Sequence, residues 1–281
     1  MKIIRSKYAG ACYGVERALS LVDEAANLTE TVVHTLGPLI HNPQVVSELK
    51  RRGVEEAATV AEIDEGVVVI RSHGVEPAII RQAEAKGLQV VDATCPHVSK
   101  AHQAARELRE LGYSVMVVGE RGHPEVEGIH AYAGSDAMVV QDPGDLPEVL
   151  PSDKIGIVVQ TTQAASVLDA IVEALRARGI EPEVRNTICF ATKQRQQTAV
   201  ELAERADVMV VVGGRNSGNT TRLAQLCREV CAQTHHIENA SELNAEWFVD
   251  AELVGITAGA STPENQIIAV EKALKALGEP V

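Results

Sequence analysis

Aromatic residues are scarce in this sequence, at 2% of 281 residues, with two Phe, four Tyr and one Trp. A core with so few rings has to be built from Val, Ile, Leu and Ala. Such side chains are typical of parallel sheets that helices cover on both faces. With 45% hydrophobic and 23% charged residues, the chain has an ordinary globular composition. Its length suits one large domain or two to three small ones.

Long apolar runs and an excess of positive charge are also lacking. No run approaches the ~20 apolar residues of a membrane span, and the basic start is too short to lead a signal peptide. The net charge of −13 argues against nucleic acid as a partner. We therefore expect a cytoplasmic protein without a nucleic-acid or membrane partner. Any phosphate site must create its own local positive field.

The five cysteines are too few and odd in number for a disulfide framework. In a cytoplasmic chain, such a count favours metal-binding or catalytic roles for some of them. The cysteines are Cys12, Cys95, Cys189, Cys227 and Cys231.

One pattern occurs three times: an extended apolar run, a polar turn, a cysteine and then a helical pattern. The cysteines concerned are Cys12, Cys95 and Cys189, at intervals of 83 and 94 residues. Two further apolar strands, each ending in a polar loop, follow every cysteine helix. Strands that alternate with amphipathic helices indicate βαβ units and parallel sheets. We predict an α/β fold of three similar units, at 13–96, 97–190 and 191–281, with strand 1–12 completing the third.

Three cysteines at matched strand-to-helix turns are candidate metal ligands. A helix N-terminus favours the thiolate, which is the form that binds metal. Three soft thiolates suit a [4Fe–4S] cluster or zinc, and three ligands on a four-iron cube leave one iron open. By contrast, Cys227 and Cys231 stand four residues apart on a predicted helix, where a buried face is the simpler interpretation than a metal pair with His235 or His236.

The polar loops carry neutral hydrogen-bond donors, which suit a diphosphate site in an acidic protein. Imidazoles, amides and hydroxyls at matched strand ends are the candidates: His41, His73, His123, Asn216, Ser217, Asn219, Thr220 and Ser261. His97, His102, His130, His235 and His236 are interpreted as structural or surface residues, and His34 is left unassigned.

Glu125 follows His123 in the segment His-Pro-Glu-Val-Glu. A carboxyl group in a dry cavity beside an anion has a raised pKa and can donate a proton. Glu127 is the alternative donor. Thr161 or Thr162, after Gln160, is placed to position a substrate hydroxyl or relay a proton.

These segments resemble the 4-hydroxy-3-methylbut-2-enyl diphosphate reductase family, whose members catalyse the last step of the methylerythritol phosphate route to isoprenoids. The resemblance runs in order across nearly the whole chain. The matching segments are 10–15, 41–42, 72–75, 92–96, 122–128, 160–162, 188–192, 216–219 and 257–261.

The resemblance implies a trefoil of the three units around a [4Fe–4S] cluster held by Cys12, Cys95 and Cys189. It implies an iron–sulfur oxidoreductase in which the open iron binds the substrate hydroxyl and isopentenyl and dimethylallyl diphosphate are formed. Glu125 would deliver protons and Thr161 would place the hydroxyl. The diphosphate would be held by His41, His73, His123, Ser217, Asn219 and Ser261, with Asn216 and Gly218 in the same loop.

One position departs from the family pattern. Gly218 stands where many relatives have a second Ser, so that one side-chain donor to the phosphate is missing, although a glycine N–H can approach closely instead. An electron donor such as ferredoxin or flavodoxin is the natural partner of such a reductase. Without the resemblance, the residues also allow a phosphate-binding sensor module with a cluster or zinc and no turnover. A zinc-dependent phosphate ester hydrolase is disfavoured, because three thiolates quench the Lewis acidity of the metal.

Overall fold

The computed structural model describes residues 1–278, and residues 279–281, the end of the third predicted unit, lie outside the described part. Residues 1–278 form three four-stranded parallel sheets with helices between the strands. The predicted α/β class is therefore confirmed.

The first sheet has the strand order β3-β2-β4-β5. Its strands are β2 (Val33–Leu36), β3 (Val54–Ala57), β4 (Val67–Ile70) and β5 (Gln89–Asp92), and the helices that precede or connect them are α1 (Tyr13–Leu28), α2 (Pro43–Arg51) and α3 (Pro77–Ala85). All four residues of β4 are buried. A strand that is apolar on both faces is expected where both faces are covered.

The second sheet has the order β7-β6-β8-β9. Its strands are β6 (Ser114–Val118), β7 (Met138–Val140), β8 (Ile155–Val159) and β9 (Glu183–Arg185), and its helices are α4 (Pro96–Glu110), α5 (Pro124–Ala133) and α6 (Ala165–Arg176). Two separate apolar clusters pack on this sheet, one centred on Ile157 and Ile171, the other on Val117 and Ile129. Both faces are thus closed to water.

The third sheet has the order β1-β12-β10-β11. Its strands are β1 (Lys2–Arg5), β10 (Val208–Val212), β11 (Thr234–Ile237) and β12 (Leu253–Ala258), and its helices are α7 (Phe190–Ala203), α8 (Gly218–Val230) and α9 (Glu264–Gly278). Ile3 of β1 pairs with Val254 of β12, and the N-terminal strand forms one edge of this sheet, opposite β11.

The three sheets share one strand order when each is read from its first strand along the chain. In each sheet, the second strand pairs with one side of the first strand and the third strand pairs with its other side. The fourth strand pairs with the free side of the third. In the third sheet, β10 counts as the first strand and β1 takes the fourth place. The chain therefore changes direction between the first and third strands of each sheet. Ligands bind beyond the carboxyl ends of strands at such switch points.

By compactness, residues 1–278 fall into two units. Unit 1 holds Met1–Tyr13, His41–Pro43 and the chain from Phe190 onward, with the third sheet. Unit 2 holds Gly14–Ile40 and Gln44–Cys189, with the first and second sheets. No helix within residues 1–278 is long and apolar enough to cross a membrane.

Candidate active site

The polar loops predicted from the sequence follow the first, third or fourth strand of each sheet. His41, His123 and Ser217 come after β2, β6 and β10, which are first strands. Those after the third strands β4, β8 and β12 carry His73, Thr161 and Ser261. The three matched cysteines follow β5, β9 and β1, which are fourth strands. The candidate residues thus occupy equivalent places in the fold, and the second strands β3, β7 and β11 carry none of them.

Each of the three cysteines makes the same type of backbone hydrogen bond, which the sequence did not reveal. Each cysteine amide donates to a carbonyl in the loop after the third strand of its sheet. The pairs are Cys95 N to Ser72 O at 2.9 Å, Cys189 N to Thr161 O at 3.0 Å, and Cys12 N to Ala260 O at 3.0 Å. The same bond therefore anchors every cysteine beside a polar loop.

The local sequence explains why each cysteine stands at a helix start. Cys95 is the N-cap of α4, in extended conformation, and Pro96 is the first helical residue. Cys12 and Cys189 directly precede α1 and α7. All three are half-buried thiols, whereas Cys227 and Cys231 are buried thiols. The half-buried thiols are therefore the ones that a ligand can reach.

Cys227 and Cys231 belong to the core, as the sequence indicated. Cys227 lies on α8 and Cys231 caps its C-terminus, where its thiol donates to Ala206 O. Burial raises the pKa of Cys227 to about 12, so this thiol stays protonated. His235 and His236 lie on β11, and His235 stacks on Trp247.

In unit 2, Glu125 is the most buried charged residue of the candidate site, with 2% of its surface exposed. It lies in the first turn of α5 and accepts two hydrogen bonds from Thr161: one from the backbone N at 2.6 Å and one from the hydroxyl at 3.0 Å. Desolvation raises the pKa of Glu125 to about 7, against the lowering effect of both bonds. This carboxyl group can therefore hold and release a proton near neutral pH.

The alternative carboxyl and hydroxyl groups have other roles. Glu127 is exposed and accepts a hydrogen bond from Gly122 N at 3.3 Å, so that it closes the loop before α5. Thr162 Oγ1 accepts from Gln160 Nε2 at 3.2 Å and not from the buried carboxylate. Burial and hydrogen bonding thus favour Glu125 over Glu127 and Thr161 over Thr162.

His123 is the N-cap of α5, and its Nδ1 accepts from Glu125 N at 3.1 Å. An accepting Nδ1 places the ring proton on Nε2 in the neutral imidazole, which makes Nε2 a donor. The His73 ring meets the His123 ring edge-on, with centroids 5.5 Å apart. Neutral donors of this kind can bind an anion.

A continuous series of contacts therefore crosses the candidate site of unit 2. It starts at the amide of Cys95, bonded to Ser72, and passes through the paired imidazoles and Glu125 to Thr161 and the amide of Cys189. Two candidate metal ligands, two candidate anion donors and one candidate proton donor are thus neighbours.

In unit 1, the predicted donors surround the start of α8. Ser217 is the N-cap of α8, and Gly218 is its first residue. The first backbone N–H groups of a helix have no intrahelical acceptor and favour anions. Asn219 Nδ2 is buried and has no hydrogen-bond partner within residues 1–278. A buried amide donor beside a helix N-terminus indicates a site for an anionic ligand.

The loop at His41 is tied to the loop at Ser261. Ser261 Oγ donates to His41 O at 3.0 Å, and Asn42 Nδ2 donates to Ser261 O at 3.0 Å. Gly214 lies between the His41 loop and Asn216, since a Cβ there would stand 2.9 Å from His41 O and 2.7 Å from Asn216 Oδ1. Cys12 joins the same group through Ala260.

Two buried threonine hydroxyls in unit 1 are candidate site groups in the same way as the Asn219 amide. Thr220 and Thr257 are both fully buried, and their Oγ1 atoms have no hydrogen-bond partner among the described residues. A Cβ on Gly259 would lie 2.0 Å from Thr220 Oγ1, so this backbone approach requires glycine. Thr257 was missed from the sequence, although a hydroxyl near the end of an otherwise apolar strand is the signal that could have shown it.

Comparisons with known proteins match nearly the whole length of the chain to one family. Residues 3–275 match the profile of the LytB protein family. Over 94% of this chain and 93% of its own length, a Geobacter sp. (strain M21) protein named 4-hydroxy-3-methylbut-2-enyl diphosphate reductase is 48% identical. A protein of the same name from Pelobacter propionicus is 47% identical over 94% of both chains.

Two solved structures have the same fold. One, described as (E)-4-hydroxy-3-methyl-but-2-enyl diphosphate reductase, the terminal enzyme of the non-mevalonate pathway, is 42% identical with a TM-score of 0.72, covering 98% of this chain and 100% of its own. The other, an E-1-hydroxy-2-methyl-but-2-enyl-4-diphosphate reductase from Plasmodium falciparum, is 25% identical with a TM-score of 0.92, covering 99% of this chain and 88% of its own. With these matches spanning almost every residue, the chain belongs to the LytB protein family.

Proposed function

We propose that this protein reduces 4-hydroxy-3-methylbut-2-enyl diphosphate to isopentenyl and dimethylallyl diphosphate. The reaction consumes two electrons and two protons, breaks one C–O bond and releases water. Relatives about 48% identical over 94% of the chain carry the name of this reductase. The observation that carries the proposal is the buried Glu125 carboxyl group, held by Thr161 in direct continuity with the Cys189 loop.

The diphosphate is assigned to the donors around α8 and to the imidazoles. In unit 1, Ser217 and Asn219 supply side-chain donors, and Gly218 supplies a backbone N–H in the first turn of α8. Ser261 supplies its hydroxyl by exchanging its bond to His41 O for one to the ligand. The unpartnered amide of Asn219 supports this assignment. His41, His73 and His123 are assigned to the same ligand, and Asn216 to the loop that shapes the site. Neutral donors avoid a cluster of permanent cations in the absence of substrate.

The reaction needs two electrons, and the three thiols of the assigned site are the candidate ligands of the cofactor that would supply them. The donor set fits an iron–sulfur cluster: three half-buried thiols stand at helix N-termini, each anchored by the same backbone bond. We assign Cys12, Cys95 and Cys189 as the ligands of one [4Fe–4S] cluster. When bound, such a cluster supplies the electrons and an iron without a protein ligand for the substrate hydroxyl.

The protein residues supply binding, orientation and protons. Glu125, with a pKa of about 7, holds a proton at its carboxyl group and releases it toward the departing hydroxyl. Thr161 orients that carboxyl group and places the substrate hydroxyl. The loops exclude water, so that the proton goes to substrate and not to solvent. Protonation of the allylic system at either end accounts for two products.

The electrons are proposed to come from a ferredoxin or flavodoxin, and the place of action is proposed to be the cytoplasm. Thiol-rich sites of this kind persist in reducing compartments, which supports that placement.

Anaerobic turnover with a reduced viologen tests the proposal. Protein reconstituted with iron and sulfide is mixed with 4-hydroxy-3-methylbut-2-enyl diphosphate, and dye oxidation and the five-carbon products are followed. Substrate-dependent oxidation with both isoprenyl diphosphates is expected. Absence of turnover by protein that carries a full cluster would overturn the assigned reaction.

A further inference from the structure

Acidic residues are missing from the sequence around all three matched cysteines. Residues 1–15, 93–106 and 184–200 contain no Asp or Glu, although the chain has 39 of them. The same segments contain eight Lys and Arg residues: Lys2, Arg5, Lys7, Lys100, Arg106, Arg185, Lys193 and Arg195. In a protein with a net charge of −13, this distribution sets the cysteine segments apart from the rest of the surface.

Some of these cationic side chains are bonded within the fold, whereas others are exposed to solvent. Arg195 is buried and donates to Gly10 O at 2.7 Å, and Arg5 is ion-paired with Glu264 at 2.5 Å. Lys7 and Lys193, by contrast, are exposed. Exposed charges on one face act chiefly on partners that approach from solution.

Exposed aromatic residues accompany these lysines in unit 1. Tyr13 and Phe190 directly follow Cys12 and Cys189 in the sequence, and each is 67% exposed. Tyr8 lies beneath Lys7, with the ammonium 5.3 Å from the ring centroid. Three of the seven aromatic residues of the chain thus lie on two short segments. Large exposed rings are costly on a free surface and are enriched in protein interfaces.

The two segments lie side by side within unit 1. Ser6 Oγ is 3.0 Å from Thr198 Oγ1, and Gly10 O accepts from Arg195 Nη2. The chain from Ser6 to Gly10 therefore runs antiparallel to α7, and its continuation to Tyr13 leads toward the end of α7 at which Phe190 lies. On α7, Phe190 and Lys193 are three residues apart and share one face. We call Lys7, Tyr8, Tyr13, Phe190 and Lys193 the aromatic–lysine face.

We propose that the aromatic–lysine face docks the protein that delivers electrons, and that this partner is a small acidic ferredoxin. The inference rests on the proposed function, in which Cys12 and Cys189 are cluster ligands. Electrons must enter near those ligands, and the two exposed rings are their immediate neighbours in the chain. The lysines complement an acidic partner, while two or three rings give the small contact area typical of transient redox complexes.

Kinetics with two reductants test the docking face. Two double variants, Tyr13→Ser with Phe190→Ser and Lys7→Glu with Lys193→Glu, are assayed with an acidic [2Fe–2S] ferredoxin and with reduced methyl viologen. For each double variant, we expect the KM for ferredoxin to rise about tenfold. Viologen-driven turnover should change less than about twofold, because a small dye needs no docking face. The lysine variant should also lose most of the salt dependence of the ferredoxin KM.

Matched controls lie elsewhere in unit 1. Val249→Ser removes an apolar side chain that is 77% exposed, and Lys272→Glu reverses an exposed charge on α9. Both should leave the ferredoxin KM unchanged. Binding of oxidised ferredoxin, measured by titration calorimetry, should weaken in the two face variants and not in the controls.

The outcomes separate the docking face from the proposed reaction. An unchanged ferredoxin KM in both double variants overturns the docking face, as does an equal loss of viologen and ferredoxin turnover at full cluster content. If the serine variant loses its cluster, the lysine variant decides. If the unmutated protein binds ferredoxin through this face but does not turn over with viologen, the reaction fails and the docking face stands.

Discussion

Thr161 binds both carboxylate oxygens of Glu125, one with its backbone N–H and one with its hydroxyl. The carboxyl group is buried, yet both bonds favour its charged form. These opposed effects leave the pKa of Glu125 at about 7, against 4.5 in water. A carboxyl group balanced in this way can both hold and release a proton at neutral pH.

Replacement of the carboxyl group tests its role as proton donor. Glu125→Gln keeps the shape but removes the transferable proton. Its amide oxygen can still accept from Thr161 N, whereas its amide nitrogen can only donate to the Thr161 hydroxyl. We expect turnover to fall about a hundredfold or more, while substrate binding is retained. Steady-state kinetics and substrate titration measure the two effects, with the exposed Glu127→Gln as the matched control. Near-normal turnover of Glu125→Gln would remove this residue from the proton relay.

The hydroxyl bond from Thr161 lowers the pKa of Glu125, so its removal should raise that pKa further. In Thr161→Val, we expect the alkaline limb of the kcat profile to move to higher pH and kcat itself to fall, because the substrate hydroxyl loses a partner. Thr162→Val, whose hydroxyl bonds to Gln160, should leave the profile in place. An unshifted limb in Thr161→Val would contradict this coupling.

Glu125 should also make the stability of the folded protein depend on pH. Its pKa is raised in the folded state, so the folded protein binds this proton more tightly than the unfolded chain does. The stabilisation is complete below pH 4.5 and is lost as pH rises through about 7. The full change is on the order of a few kcal/mol, because each unit between the folded and unfolded pKa contributes ~1.4 kcal/mol.

Urea unfolding of the cluster-free protein across this range measures that change. Glu125→Gln should lack the loss of stability that Glu125 causes as pH rises through about 7, and it should be the more stable protein above pH 7. Equal slopes in the two proteins would show that Glu125 does not titrate differently on folding.

Substitution of the assigned ligands should remove the cluster. Cys12→Ser, Cys95→Ser and Cys189→Ser are each expected to lose the absorption near 400 nm, because a serine hydroxyl is a poor ligand for iron. Cys227→Ala is the control, since this buried thiol with a pKa of about 12 packs in the core and should leave the spectrum unchanged. An intact spectrum in any one serine variant breaks that ligand assignment.

Asn219 should act on substrate binding and not on proton transfer. Its buried Nδ2 donor has no protein partner within the described residues, so a phosphate oxygen is the natural acceptor. Loss of a hydrogen bond to a charged group costs ~1.5–3 kcal/mol. For Asn219→Ala, we therefore expect KM to rise about ten- to a hundredfold with a smaller change in kcat. Asn244→Ala, at an exposed 3-10 turn, is the control, and a fall in kcat alone would contradict a binding role.

The sequence by itself determined the fold class and the repeated pattern. Continuous β-branched runs such as Val67–Ile70 predicted strands buried on both faces, because period and composition are local properties of the chain. The repeat also predicted that Cys12, Cys95 and Cys189 precede helices, since Pro96 is a local start signal. Residues in these positions could therefore be nominated as site candidates without coordinates.

Only the tertiary structure decided how the candidates rank. Glu125 and Glu127 are two residues apart and chemically alike, and only the packed structure buries Glu125, which raises its pKa, and leaves Glu127 in solvent. The cysteine amide bonds and the antiparallel course of residues 6–10 along α7 join residues far apart in sequence, and the Thr257 hydroxyl is enclosed only in the packed chain. Burial and such long-range contacts exist only once the chain has packed, and no periodicity or motif encodes them locally.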